Sequence, residues 1–139
     1  VNDDIKLTGS IRARNSTQIT NAPWFNCASS CSGDVKLHTP IVHNESNMFI
    51  IRVVGYGYGG GGRNKEILCS GYAYGGSTLI AKGCDTIVGS TTATITTVAR
   101  DGNTYVVVVL NSGAGYYNHY TWEYIGWQVK DPDDFYWEG

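Results

Sequence analysis

Charge is scarce in this chain. Asp, Glu, Lys and Arg together make 16% of its 139 residues and leave a formal net charge of −2. The basic stripe of a nucleic-acid-binding surface is therefore missing. Long apolar runs are missing too. The longest candidate, Met48 to Val54, is short and interrupted by Arg52, so no membrane-spanning segment is read and membrane insertion is not expected. Helix-forming patterns are sparse: there is one Met, and no stretch repeats its apolar residues at helical spacing. Catalytic signatures are also lacking, with no Gly-Lys-Ser/Thr phosphate loop, no Gly-x-Ser-x-Gly elbow and no His-Glu-x-x-His helix. Gly55-x-Gly57-x-x-Gly60 has the glycines of a dinucleotide fingerprint. Gly61-Gly62-Arg63-Asn64 and a β-prone run follow it, rather than the helix whose N-terminus would hold a pyrophosphate. No secretory signal precedes Val1, so the chain reads as processed or cut from a longer one.

What is present is glycine and tyrosine, eighteen and ten residues, beside many Thr and Asn residues. Tyr and Thr are good strand residues, and Tyr with Gly, Ser and Asn is also the palette of adaptable recognition surfaces. The most informative pattern is a repeated Gly-Tyr-x-Tyr-Gly-Gly, at Gly55–Gly60 and again at Gly71–Gly76. Side chains alternate across a strand, so Tyr56 and Tyr58 share a face, as do Tyr72 and Tyr74. On adjacent strands they would form a tyrosine ladder, read here as architecture: a sheet face or a subunit contact.

The remaining pattern is β throughout. Strands are expected over Asp4 to Arg14, Val35 to Val42 (an edge strand, because of Pro40), Met48 to Tyr58, and Tyr120 to Val129. Phe49, Ile51 and Val53 should face one side of the third of these. One hairpin, Ile67–Tyr74 with Thr78–Ile87, turns at Gly76-Ser77. A second, Ala93–Arg100 with Asn103–Leu110, turns at Asp101-Gly102, the clearest two-residue turn signal in the chain. The uninterrupted run Tyr105 to Leu110 predicts a strand buried on both faces, in a core or a subunit interface. Pro23-Trp24-Phe25 reads as aromatic loop, Asn111 to His119 as a further loop, and Asp131-Pro132-Asp133-Asp134 as the end of the fold. About eight short strands with regular turn signals give an all-β antiparallel sandwich or jelly roll. One compact domain is expected, with a first strand and Cys-containing loop over residues 1–45 and the β-sandwich over 46–139.

The cysteines fall into two pairs. Cys69 and Cys84 lie seven residues before Gly76 and seven after Ser77, which sets them opposite each other in an undisturbed hairpin, within disulfide reach. A Cys27–Cys31 bond would close a very small loop and constrain little, whereas the other two connectivities would staple the 27–31 loop to the hairpin and constrain much more. Free thiols remain open, as does a zinc site drawing on His38, His43 or His119, although the second pair lacks knuckle spacing. No metal or other cofactor is assigned.

The densest aromatic cluster is Gly115-Tyr116-Tyr117-Asn118-His119-Tyr120, followed by Trp122. A sugar ring stacks its C–H face on Tyr or Trp while Asn and His read its hydroxyls. Tyr116, Tyr117, Asn118, His119 and Tyr120, with Arg63 in the Gly59–Arg63 loop, are therefore the candidate ligand-binding residues. Trp122, Tyr124 and Trp127 are read first as strand residues of a core or interface. No catalytic residue is assigned. Glu45, Glu66, Glu123 and the aspartates leave a glycosidase pair open, since such pairs are defined by spatial separation. Asn15-Ser16-Thr17 and Asn44-Glu45-Ser46 are glycosylation sequons.

From Met48 onward the chain resembles the C-terminal head domains of bacteriophage tail-fibre or virion structural proteins. The resemblance is carried by Met48-Phe49-Ile50-Ile51-Arg52-Val53, Gly55-Tyr56-Gly57-Tyr58, Gly71-Tyr72-Ala73-Tyr74, the Arg100-Asp101-Gly102 turn before a valine run, and Thr121-Trp122-Glu123-Tyr124. It implies a β-rich head over residues 46–139, commonly trimeric, exposed on a virion and contacting a host surface, and leaves residues 1–45 open to a shaft-connecting or assembly role. The expected function is thus a non-enzymatic receptor-binding head, an adhesin for a host glycan or protein, with the valine run and tyrosine ladder as trimer contacts. Its alternatives are a structural capsid-decorating or assembly protein and a small glycan-active hydrolase.

Overall fold

The computed structural model describes residues 16–19, 25–26, 30–31, 33–58, 63–76, 78–111 and 115–139. The strand expected over 4–14, residue Cys27 and the glycine loop 59–62 lie outside them. Eleven strands occur among the described residues: β1 Ser16–Ile19, β2 Phe25–Asn26, β3 Ser30–Cys31, β4 Asp34–Val42, β5 Asn47–Tyr58, β6 Asn64–Ala73, β7 Leu79–Val88, β8 Thr92–Arg100, β9 Asn103–Asn111, β10 Gly115–Lys130 and β11 Tyr136–Glu138. They form two antiparallel sheets. The larger runs β1-β10-β5-β6-β7, with β2 and β3 also pairing to β10, and the smaller runs β11-β4-β9-β8. The fold is the expected all-β sandwich.

Alternation builds the core. Phe49, Ile51 and Val53 of β5, Ile67 and Cys69 of β6, and Tyr120, Trp122 and Tyr124 of β10 point inward from the larger sheet. Val35, Leu37 and Ile41 of β4 and Val106, Val108 and Leu110 of β9 meet them from the smaller one. Trp122 stacks on Phe135 with ring centroids 4.0 Å apart. Phe25, expected in an exposed loop, is partly buried and packs near Tyr120 and Trp137.

Local chemistry explains the turns. Asp101 and Gly102 both adopt positive φ, +49° and +80°, the pair that lets a two-residue hairpin loop match strand twist. At the other hairpin Gly76 has φ +78° and Tyr74 N donates to Thr78 O at 3.0 Å. Cys69 and Cys84 are cross-strand partners in β6 and β7 and form a disulfide spanning 15 residues. Breaking it with Cys84→Ser should remove about 3 kcal/mol and lower the melting temperature by about 10 °C. Thermal unfolding with and without reductant checks this, and an unchanged melting temperature on reduction would contradict it.

Four expectations need correction. Pro40 does not mark an edge, because β4 lies between β11 and β9. The imide sits where the β4–β9 register breaks between His38 and Val42, so no ladder N–H is required of it. There Thr39 Oγ1 donates to Val106 O at 2.7 Å and accepts from Ile41 N at 3.2 Å. The valine run is buried on both faces as expected, but within the single chain rather than as a free trimer contact: Val106, Val107 and Val108 have no exposed area. Asp131–Asp134 does not end the fold. Asp131 Oδ1 caps a 3₁₀ turn over Pro132–Asp134, and β11 then joins the smaller sheet. Lastly, residues 115–119, read as loop, are the first residues of β10.

Candidate functional site

The two Gly-Tyr-x-Tyr copies obey one rule: small residues face the core and tyrosines face out. A Cβ on Gly55 would run into His119 O and the Tyr120 ring, and one on Gly57 into Asn118 Oδ1. In the second copy a Cβ on Gly71 would press on the Phe49 ring, and Ala73 is fully buried. Tyr72 and Tyr74 meet edge to face at 5.4 Å on the outer side. The copies do not form a ladder. Tyr56 pairs with Asn64, whereas Tyr72 pairs with Met48, eight residues away along β5 or about 26 Å at ~3.3 Å per residue. Neighbouring antiparallel strands send the same motif to opposite ends.

At the Tyr56 end, β10 carries a bulge. Its register with β5 shifts between Tyr116, opposite Tyr58, and His119, opposite Tyr56. Tyr117 sits in the bulge with φ +53° and its side chain is 55% exposed. The bulge turns Asn118 inward and His119 outward, where the imidazole lies parallel to the Tyr56 ring at 5.1 Å. Burial lowers the His119 pKa below its ordinary value, which favours the neutral ring. Tyr56 and Tyr58 are 53% and 71% exposed. Arg63, also exposed, accepts from Gly57 N through its carbonyl at 3.2 Å, which brings it to the same end.

The candidate ligand residues therefore divide. Tyr117 and Arg63 reach solvent. Asn118, His119 and Tyr120 are buried, and Tyr116 takes its place by backbone pairing to Tyr58 and Ser30. Tyr56 and Tyr58, read as architecture, present their rings to solvent. Beneath them lies a residue the sequence analysis did not select. Lys65 is 6% exposed, and its Nζ donates to Asn118 Oδ1 and to Tyr120 OH, each at 3.1 Å. Its alternation with Ile67 and Cys69 was the available signal, since it places the ammonium on the core face of β6.

The outer face of the larger sheet has two further features. Arg52 bridges Glu66 at 2.9 Å and Glu123 at 3.3 Å, and its pKa is raised chiefly by the hydrogen bond to Glu66. Toward the Tyr72 end, Met48, Ile50, Tyr72, Ile125 and Trp127 line an open groove of about 410 Å³. On the smaller sheet His38 stacks on Tyr136 at 4.5 Å and bonds Glu138 at 2.5 Å. That bond, followed by Lys36, holds the Glu138 carboxyl below its ordinary pKa. Asn44 of the second sequon is exposed.

Among the described residues no three His, Cys, Asp or Glu side chains converge as metal ligands, and no helix is long and apolar enough to cross a membrane. Comparison with protein-family models, curated proteins and solved structures gives no match for this chain.

Proposed function

We propose that the chain is a non-enzymatic receptor-binding head, of the kind carried at the end of a viral fibre, that engages a host-surface glycan. The observation carrying this reading is the set of aromatic faces left in solvent at one end of the sandwich. Tyr58 and Tyr117 stand there beside Arg63, and the His119–Tyr56 stack holds the neighbouring ring in a fixed plane. Rigid tyrosines offer stacking area to the C–H face of a sugar at little entropic cost, and Arg63 adds donors for hydroxyl or carboxylate groups. Glu66 and Glu123 are engaged by Arg52 rather than presented across a cleft, which speaks against the hydrolase alternative. A glycan array tests the reading. The wild-type chain should retain a defined glycan class, and Tyr58→Ala and Tyr117→Ala should each weaken that signal about tenfold, or about 1.4 kcal/mol. Release of reducing ends from a bound polysaccharide would instead establish a hydrolase.

A structural role within a larger assembly is the second reading. It is favoured by the apolar strip of Met48, Ile50, Ile125 and Trp127, the last 66% exposed, since contiguous apolar surface commonly marks a subunit contact. Light scattering separates the two. A stable homotrimer of the isolated chain supports the fibre head, whose weak sites would gain avidity by repetition. A monomer that assembles only with other subunits supports the structural role.

A further inference from the structure

Lys65 and Asn118 meet inside the sandwich from strands that are not neighbours, because β5 lies between β6 and β10. Their side chains cross that strand at Gly57. A Cβ on Gly57 would run into Asn118 Oδ1 and stand 3.1 Å from Lys65 Nζ, so the missing side chain opens the passage. The contact is sealed: Lys65 is 6%, Asn118 1% and Tyr120 0% exposed. Among the described residues no carboxylate lies within salt-bridge distance of the Lys65 ammonium, and Asn118 Nδ2 is buried without a hydrogen-bond partner. As a resting pair this is unfavourable twice over. A buried ammonium that meets no carboxylate among the described residues is costly, and an orphaned buried amide nitrogen adds to that cost.

We propose that Lys65 and Asn118 condense into an intramolecular isopeptide bond. The lysine nitrogen, as the free amine, attacks Asn118 Cγ, one covalent bond beyond the Oδ1 that it already touches. The Cγ–Nδ2 bond breaks, and Nδ2 leaves as ammonia with the proton that the lysine nitrogen gives up. Starting from the ammonium form, the products are the amide and one ammonium ion, so the step needs no oxidant, reductant or co-reactant. The Tyr120 hydroxyl, 3.1 Å from Nζ, accepts a hydrogen bond from the attacking nitrogen and holds it beside Asn118. The product removes both costs: the buried charge becomes a neutral amide N–H that keeps Tyr120 OH as acceptor, and the orphaned Nδ2 is expelled. The bond ties β6 to β10 across β5, directly beneath the exposed tyrosines.

Mass spectrometry of the denatured wild-type chain tests this without any functional assay. Apart from the hydrogens lost to disulfides, the intact mass should fall short of the sequence mass by one ammonia. Trypsin should fail to cut after Lys65 and should yield a branched peptide joining Lys65 to Asn118. Lys65→Arg and Asn118→Ala should restore the sequence mass, and Asn118→Asp should form the same branched peptide with loss of water instead. A folded wild-type chain of full sequence mass, cut after Lys65 with the Asn118 peptide recovered unbranched, would overturn the proposal. That spectrum decides the matter even where a variant fails to fold, and its outcome is independent of receptor binding.

Discussion

Gly55→Ala is expected to destabilise the chain by at least about 3 kcal/mol, while Tyr56→Ala, one residue away, costs about 1 kcal/mol. The added methyl would occupy space already held by the His119 carbonyl oxygen and the Tyr120 ring. Neither can retreat freely. His119 and Tyr120 are register partners of Tyr56 and Gly55 across the β5–β10 ladder, and Tyr120 is fully buried against the core. Overpacking of this kind typically costs about 1–3 kcal/mol and more where backbone must shift. The entropy that alanine removes from the unfolded chain returns less than about 1 kcal/mol. Tyr56→Ala loses chiefly its stack on His119, about 0.5–1.5 kcal/mol. Urea unfolding of both variants measures the difference, and a Gly55→Ala midpoint close to wild type would contradict inward-facing glycine as the basis of the repeat.

Asn47→Ala should cost about 4 kcal/mol. Asn47 is fully buried and satisfies four groups. Its Oδ1 accepts from Trp127 N at 2.9 Å and Gln128 N at 3.1 Å, and its Nδ2 donates to Glu45 Oε1 at 2.9 Å and Tyr124 OH at 3.0 Å. Tyr124 in turn donates to Gln128 O at 2.6 Å, and burial raises its pKa, keeping the phenol protonated as that donor. The same corner holds Lys130 Nζ against Glu45 at 2.7 Å and Pro40 O at 3.2 Å. Alanine would leave four partners to find water or remain unpaired, at about 1 kcal/mol or more each. Hydrogen exchange at the Trp127 and Gln128 amides should accelerate together with the loss in chemical stability. A change below about 1 kcal/mol would show that the corner holds itself without Asn47.

Much of the fold is legible from local chemistry. Phe49-x-Ile51-x-Val53 announces a half-buried strand and Asp101-Gly102 announces a hairpin. Hairpin arithmetic sets Cys69 against Cys84, but the strands begin with Ala73 opposite Leu79 and reach that pairing through a register shift between Ser70 and Tyr72. What stays hidden depends on distant partners. Gly115–His119 reads as loop because its glycine and polar residues are poor strand formers, yet pairing with β5 and β3 makes it strand. Pro40 signals an edge until the β4–β9 register break is seen. The tyrosine repeats suggest a ladder because sequence shows spacing but not strand direction. At the candidate site the alternation of β6 marks Lys65 as inward, but its partner lies 53 residues away and is turned inward by a bulge that no local pattern announces. The same bulge separates Tyr117, which reaches solvent, from Asn118 and Tyr120, which do not.

The most direct test of the tyrosine-rich end as the binding surface is a titration with the glycan retained on the array, comparing wild type with Tyr58→Ala, Tyr117→Ala and Tyr72→Ala. All three remove one outward-facing tyrosine, but Tyr72 stands at the opposite end of the sheet. The expected result is about tenfold weaker binding for Tyr58→Ala and for Tyr117→Ala, with Tyr72→Ala unchanged. A wild-type chain that retains no glycan, or binding lost only in Tyr72→Ala, would contradict it.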